Sequence, residues 1–209
     1  MYQKIIKRCL DLVLSFLGLI VLLPVFLILS LAVLIDDPGP VFFRQKRVGR
    51  GKRYFQLHKF RSMKRNSPHD VPTHLMENPE QYVTRVGRFL RRSSLDELPQ
   101  IWDILRGKMS IVGPRPALWN QEDLVAARDR YGANDLCPGL TGWAQINGRD
   151  ELPIEKKAAL DGEYAAAMGQ GGFRAFAMDL RCFFGSFLPV LRGDGIAEGS
   201  AGQDGPDSD

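Results

Sequence analysis

The segment Arg91-Arg92-Ser93-Ser94-Leu95-Asp96-Glu97-Leu98-Pro99 sets two adjacent carboxylates beside two arginines at a helix start. Ser94 and Glu97 have the Ser-x-x-Glu spacing of a capping box, a structural account of Glu97 that needs no chemistry. It explains Asp96 less well. Arg91, Arg92 and a helix N-terminus all favour the ionised form of Asp96. An ionised carboxylate can attack phosphorus, as in an aspartyl-phosphate intermediate. A neighbouring carboxylate can help hold Mg²⁺, which neutralises phosphate charge. Basic residues nearby would hold a diphosphate.

Such bases are plentiful. Between Asp37 and Asp70 there are ten Lys or Arg and no acid. Most read as a patch for lipid head groups. Lys59 and Arg61 have a different setting, because they continue the i, i+2 face of Phe55 and Leu57 in a strand. That face points them to where a hydrophobic wall meets a site. Gly113-Pro114-Arg115-Pro116 reads as a rigid loop. His58, His69 and His74 show no metal-ligand grouping, and the last two read as solvated loop residues. Trp102, Trp119 and Trp143 read as packing residues, and Ser93 and Ser94 as helix caps. Cys9, Cys137 and Cys182 lie far apart, which argues against a zinc ribbon, a redox motif or a disulfide framework.

The elements that must position these groups form a mixed α/β chain, mostly helical. Val41 to Arg61 reads as a small β-hairpin around Gly-Arg-Gly-Lys. Short helices are expected over Thr84–Arg92, Ser94–Leu105 and Trp119–Tyr131, the last stopped by Gly132. Another is expected over Pro153–Met168, with Pro153 in its first turn. Leu12 to Ile35 is a run of 24 residues without a charge, long enough for a membrane segment. Pro24 divides it into arms of about 18 Å. Both flanks are basic, so both ends belong on the cytoplasmic face. A re-entrant helix-break-helix satisfies this; the alternative is a kinked helix that crosses. Phe173 to Leu191 has helical apolar spacing and suits an amphipathic helix lying in the interface, or one facing the core.

The chain has 209 residues, 44% hydrophobic and 25% charged, which excludes a disordered or fibrous chain as a whole and suits one domain with a core or two small ones. Its net charge of +4 hides an asymmetry. Five acids and no base follow Arg192, so residues 1–193 carry +9. A basic body implies an anionic partner: nucleic acid, anionic lipid or a phosphorylated substrate. The expected organisation is a re-entrant membrane anchor (1–36), a cytoplasmic and interfacial catalytic domain (37–192) and a disordered acidic tail (193–209).

Several blocks together resemble the bacterial sugar transferases, the monotopic polyprenol-phosphate phosphoglycosyl transferases in their minimal catalytic form. They are LLPVF, DDPGPVFFRQKRVGRGKRYFQLHKFRSM, RVGRFLRRSSLDELPQIWDILRGKMSIVGPRP and PGLTGWAQINGR. The resemblance implies transfer of a sugar 1-phosphate from a UDP-sugar to polyprenol (undecaprenyl) phosphate. The products would be a polyprenol diphosphate sugar and UMP. It implies Asp96 as nucleophile, Glu97 assisting, and Mg²⁺ near the pair, with ping-pong kinetics. It implies phosphate or nucleotide contacts for Lys59, Arg91 and Arg115, and a nucleotide-side element in Pro114-Arg115-Pro116. Arg149 and Asp161 also fall at family positions; as a structural alternative, they would pair with each other. The implied location is the cytoplasmic face of the bacterial inner membrane, against anionic phospholipid. Family members often carry Ser before the membrane proline, whereas this chain has Leu23. Two other classes compete. A non-catalytic membrane scaffold leaves the Asp-Glu pair unexplained, and a nucleic-acid binder leaves the apolar run unexplained. A hydrolase using the same dyad would put water in place of the lipid acceptor.

Overall fold

Alternating large and polar side chains over Val41–Phe60 form an antiparallel pair, β1 (Phe42–Val48) and β2 (Tyr54–Phe60), with Phe43 opposite Lys59 and Gln45 opposite Leu57. The hairpin is the one expected. Its connection turns through Gly51 and Lys52, both at positive φ. The computed structural model describes residues 2–67, 79–148 and 152–186. His69, His74, Arg149 and the tail 193–209 lie outside them.

The apolar run lies within one helix, α1 (Lys7–Asp36), which passes through Pro24 without interruption. Of the two readings of Pro24, a break between arms or a kink within one helix, the chain here has one helix with the proline inside it. The proline ring removes a single hydrogen bond, and the ladder on either side holds. Lys7, Asp11, Ser15, Leu29 and Val33 are buried at helical spacing along one face. The other face is exposed and apolar, with Val21 at 72% and Ile35 at 74% exposure.

Both ends of α1 are tied to the rest of the chain. Lys7 Nζ donates to Asp179 at 2.7 Å, and Asp11 Oδ1 accepts from the Ile111 amide at 3.0 Å. Arg8 donates to the carbonyls of Ile104 and Leu105 at 2.7 and 2.9 Å. At the far end, Asp36 accepts from the Val86 amide at 2.8 Å, and Leu29 and Val33 pack with Phe60 and Leu90. Complete burial of Leu90 contributes about 1.5–3 kcal/mol.

The remaining helices are short. α2 (Arg85–Arg92) is capped by Thr84, whose Oγ1 accepts from the Gly87 amide. A Cβ at Gly87 would lie 1.9 Å from the Ser62 carbonyl, so only glycine lets α2 close onto the chain leaving β2. A 3₁₀ turn, Leu95–Glu97, leads to α3 (Gln100–Leu105). α4 is Glu122–Asp129, shorter than expected because the chain from Trp119 first turns through Leu118 and Gln121. α5 (Trp143–Ile146), α6 (Ile154–Gln170) and α7 (Gly172–Gly185) complete the set. Pro153 caps α6 rather than sitting in its first turn. A second, parallel pair, β3 (Ser110–Val112) with β4 (Gly139–Thr141), was not anticipated. The chain is mostly helical, with a small antiparallel sheet and an N-terminal apolar helix.

α7 has two faces. Ala175, Asp179 and Cys182 are buried, whereas Phe173 and Phe184 are 82% and 63% exposed. Asp179 gathers Tyr2, Lys7 and Tyr164 at 2.7 Å each. Lys7 is therefore a buried partner of Asp179, not a free flank for lipid. Trp102 and Trp119 are half exposed rather than packed away. Burial pushes the Cys137 thiol up to about 11 and that of Cys182 up to about 12, so both stay protonated and unreactive.

Candidate active site

The turn that carries the two carboxylates starts with a residue out of its ordinary conformation. Ser94 has φ 56°, in the left-handed region, and its side chain makes no capping bond. The capping box that Ser94 and Glu97 spell in sequence does not form. Ser93 instead closes the end of α2, donating to the Phe89 and Leu90 carbonyls. The reversal at Ser94 leaves Glu97 free to turn to other partners.

Those partners are cations from two other elements. Lys59 Nζ, at the end of β2, lies 2.8 Å from Glu97 Oε1 and 3.4 Å from Asp96 Oδ2. Arg115 Nη2 reaches the same Glu97 Oε1 at 2.7 Å, and its Nη1 lies 3.4 Å from Oε2. The i, i+2 argument therefore holds for Lys59. It fails for Arg61, which turns to Asp37 at 3.0 Å. Arg91 donates through Nε to Ser62 at 2.9 Å and acts on Asp96 through its charge.

Opposite effects act on the two carboxylates. Burial raises the pKa of Asp96, and the charge of Glu97 adds to this, against the pull of Lys59 and Arg91. Burial also opposes ionisation of Glu97, but Arg115 and Lys59 outweigh it and hold that carboxyl well below the usual range. Glu97 is thus a fixed anion, and Asp96 the more basic of the pair. A protonated Asp96 cannot attack an electrophile. With Asp96 in the expected nucleophile role, the predicted result is loss of activity as pH falls through a value above the ordinary aspartate 3.8. A rate–pH profile at saturating donor checks this, and an acid limb at or below the ordinary value would contradict it.

Arg115 owes its place to a supporting frame. Prolines on both sides fix φ at 114 and 116. The Pro114 carbonyl accepts from the Gly139 amide at 2.9 Å, and the Pro116 carbonyl from Arg47 at 3.0 Å. Arg128 donates to the Arg115 carbonyl at 3.0 Å. Its other nitrogens grip Asp161 at 2.7 and 2.6 Å, with Asp161 fully buried. Asp161 thus pairs with Arg128 through one oxygen, and the expected pairing with Arg149 lies outside the described residues. Asp161 meets the site through the backbone of Arg115. A Cβ at Gly139 would lie 2.1 Å from the Gly113 amide, which shows how closely β4 backs the loop.

Sequence reasoning passed over Arg128 and Asp103. Arg128 follows Leu124 by four residues, on the buried face of α4, and that spacing was its one signal. Asp103 is buried and accepts from the His58 amide at 2.9 Å, with its other oxygen 2.8 Å from His58 Nδ1. This joins α3 to β2 one residue from Lys59, and it explains His58 without a metal.

No group of three or more metal-ligating side chains occurs among the described residues. Asp96 and Glu97 alone supply two hard oxygen donors. That suits Mg²⁺, which binds one or two carboxylates together with substrate phosphates.

The family profile described as bacterial sugar transferase matches residues 2–193. A UDP-glucose:undecaprenyl-phosphate glucose-1-phosphate transferase of Escherichia coli is 45% identical over 169 residues, 78% of this chain and 36% of that protein. A UDP-N-acetylgalactosamine-undecaprenyl-phosphate N-acetylgalactosaminephosphotransferase of Aeromonas hydrophila is 38% identical over 146 residues, 68% of this chain and 34% of that protein. An exopolysaccharide production protein of Rhizobium leguminosarum is 34% identical over 202 residues, 92% of this chain and 98% of that protein. The chain thus spans about a third of the length of the first two relatives and nearly all of the third. With residues 2–193 matched, the chain belongs to the bacterial sugar transferase family.

Proposed function

We propose that the protein transfers a sugar 1-phosphate from a UDP-sugar to polyprenol (undecaprenyl) phosphate, at the cytoplasmic face of the bacterial inner membrane. The observation that carries this reading is the buried carboxylate of Asp96 beside Lys59 and Arg91, with Arg115 on its neighbour Glu97. An Asp96 oxygen bonds to the sugar-bearing phosphorus, and the bond from that phosphorus to the UMP oxygen breaks. UMP leaves with the electron pair. An oxygen of the lipid phosphate then attacks the same phosphorus and releases Asp96 as a carboxylate. No proton has to move in either step. Lys59, Arg91 and Arg115 offset the phosphate charge, and Pro114 and Pro116 hold Arg115 in place. Mg²⁺, held by Asp96 and Glu97 with the diphosphate, would supply further charge neutralisation. Arg149 and Asp161 complete the expected substrate side, Asp161 by way of Arg128 and the Arg115 backbone.

The membrane reading rests on α1. Straight, its thirty residues would reach roughly 45 Å. Yet residues 7–11 and 29–36 both dock on one body, and the face between them is apolar and exposed. A helix held to its own domain at both ends favours a shallow, re-entrant seat with Pro24 near its deepest point. The bare phenylalanines of α7 and the exposed bases of the hairpin would lie against anionic phospholipid.

UMP release tests the reading. Detergent-purified protein with Mg²⁺ is offered a panel of UDP-sugars, with and without undecaprenyl phosphate. Acceptor-dependent UMP from one donor, with a lipid-linked sugar as product, is expected. Free sugar phosphate in its place would make the protein a hydrolase.

A further inference from the structure

We propose that Arg115 is a placeholder cation on Glu97, which a nucleotide diphosphate draws away, so that Glu97 takes a metal ion only when nucleotide is present. The inference rests on the metal-assisted reading above and concerns the order in which that site assembles.

Two cations already face Glu97, and both close contacts fall on one oxygen. Its Oε1 accepts from Arg115 at 2.7 Å and from Lys59 at 2.8 Å, and its Oε2 faces Arg115 at 3.4 Å. A magnesium ion needs a carboxylate oxygen at about 2.0–2.1 Å with near-ideal octahedral geometry. The oxygen that would serve is covered by a guanidinium and an ammonium. A divalent ion beside both would also meet like charge at a few ångströms, in a pocket that water screens poorly.

One of the two cations is built to leave. The Lys59 side chain is 19% exposed and bridges both carboxylates. The Arg115 side chain is more open, at 36% exposed, and reaches Glu97. The Arg115 backbone is fixed by Arg128 and by flanking prolines, so its head can swing while its anchor stays. A diphosphate offers that head more negative charge than one carboxylate and the fork geometry that arginine prefers. Once Arg115 moves, Oε1 of Glu97 has a free lone pair beside Asp96. By linkage, nucleotide must then raise metal affinity by the factor that metal raises nucleotide affinity.

The test uses the full chain in detergent, with Mn²⁺ as probe. Free Mn²⁺ is read by electron paramagnetic resonance, with and without UDP, after subtraction of what UDP alone binds. Wild type should bind Mn²⁺ about tenfold more tightly with UDP, within the ordinary range of coupling. Arg115→Gln should bind Mn²⁺ several-fold more tightly than wild type without UDP, and should lose most of the UDP-dependent gain. Arg115→Lys, which keeps the charge, should stay near wild type without UDP. Unchanged or weaker Mn²⁺ binding by Arg115→Gln without UDP would overturn the exchange while leaving the metal reading in place. No Mn²⁺ bound by wild type even with UDP would remove the metal reading, and the exchange with it.

Discussion

Asp96→Asn should abolish turnover, by at least about 10⁴-fold, while leaving the protein bound to membranes. The amide keeps the size and much of the hydrogen bonding but has no anionic oxygen to attack phosphorus. Membrane attachment should survive, because the exposed apolar faces belong to α1 and α7, not to the Leu95–Glu97 turn. Two measurements check this together. One is UMP release; the other is intact mass after incubation with the donor alone. Wild type should gain the mass of one sugar phosphate, and the variant none. Full activity in Asp96→Asn would remove this residue from the nucleophile role.

Asp161→Ala should cost about 3–5 kcal/mol of stability, because it strands a buried arginine. The Arg128 side chain is 5% exposed, and Asp161 is its only carboxylate partner among the described residues. In a chain of this size that loss lowers the melting temperature by roughly 6–20 °C. Replacing both residues by apolar ones of similar volume should cost less than the single change, since no charge is then left alone. Thermal melts in detergent of the two variants against wild type decide the matter. A shift under about 2 °C for Asp161→Ala would show that the pair is dispensable.

The hairpin and the direction of Lys59 were legible because both follow from a period of two, which the backbone enforces locally. Asp96 was legible only in part: Arg91 acts on it as its place in sequence suggests, but burial and Lys59, 37 residues away, act more strongly, so its pKa is raised where the local sequence favoured the ionised form. Glu97 was not legible. Its sequence spells a capping box with Ser94, but Ser94 sits at positive φ and the bonds go to Lys59 and Arg115, each contributed by another element. The same holds for Asp161, whose partner Arg128 lies 33 residues away, and for Lys7, whose partner lies 172 away. Pairings across that much chain leave no mark in local spacing. Pro24 was legible as an interruption of hydrogen bonding, but local sequence left a break and a kinked helix both open, and one helix with the proline inside it is found.

The tie between Lys7 and Asp179 also bears on how the protein is made. α1 emerges before α7, and its buried face is completed by residues synthesised up to 172 positions later. At about 5–20 residues per second, Lys7 waits roughly 9–34 s for Asp179. Asp11 waits for the Ile111 amide, 100 residues on. During that interval the first turns of the helix carry a bare ammonium and a bare carboxylate, which resist entry into hydrocarbon. The first turns of α1 are thus held at the water side until α7 arrives to neutralise them. Topology would be set by charges that the finished protein no longer displays.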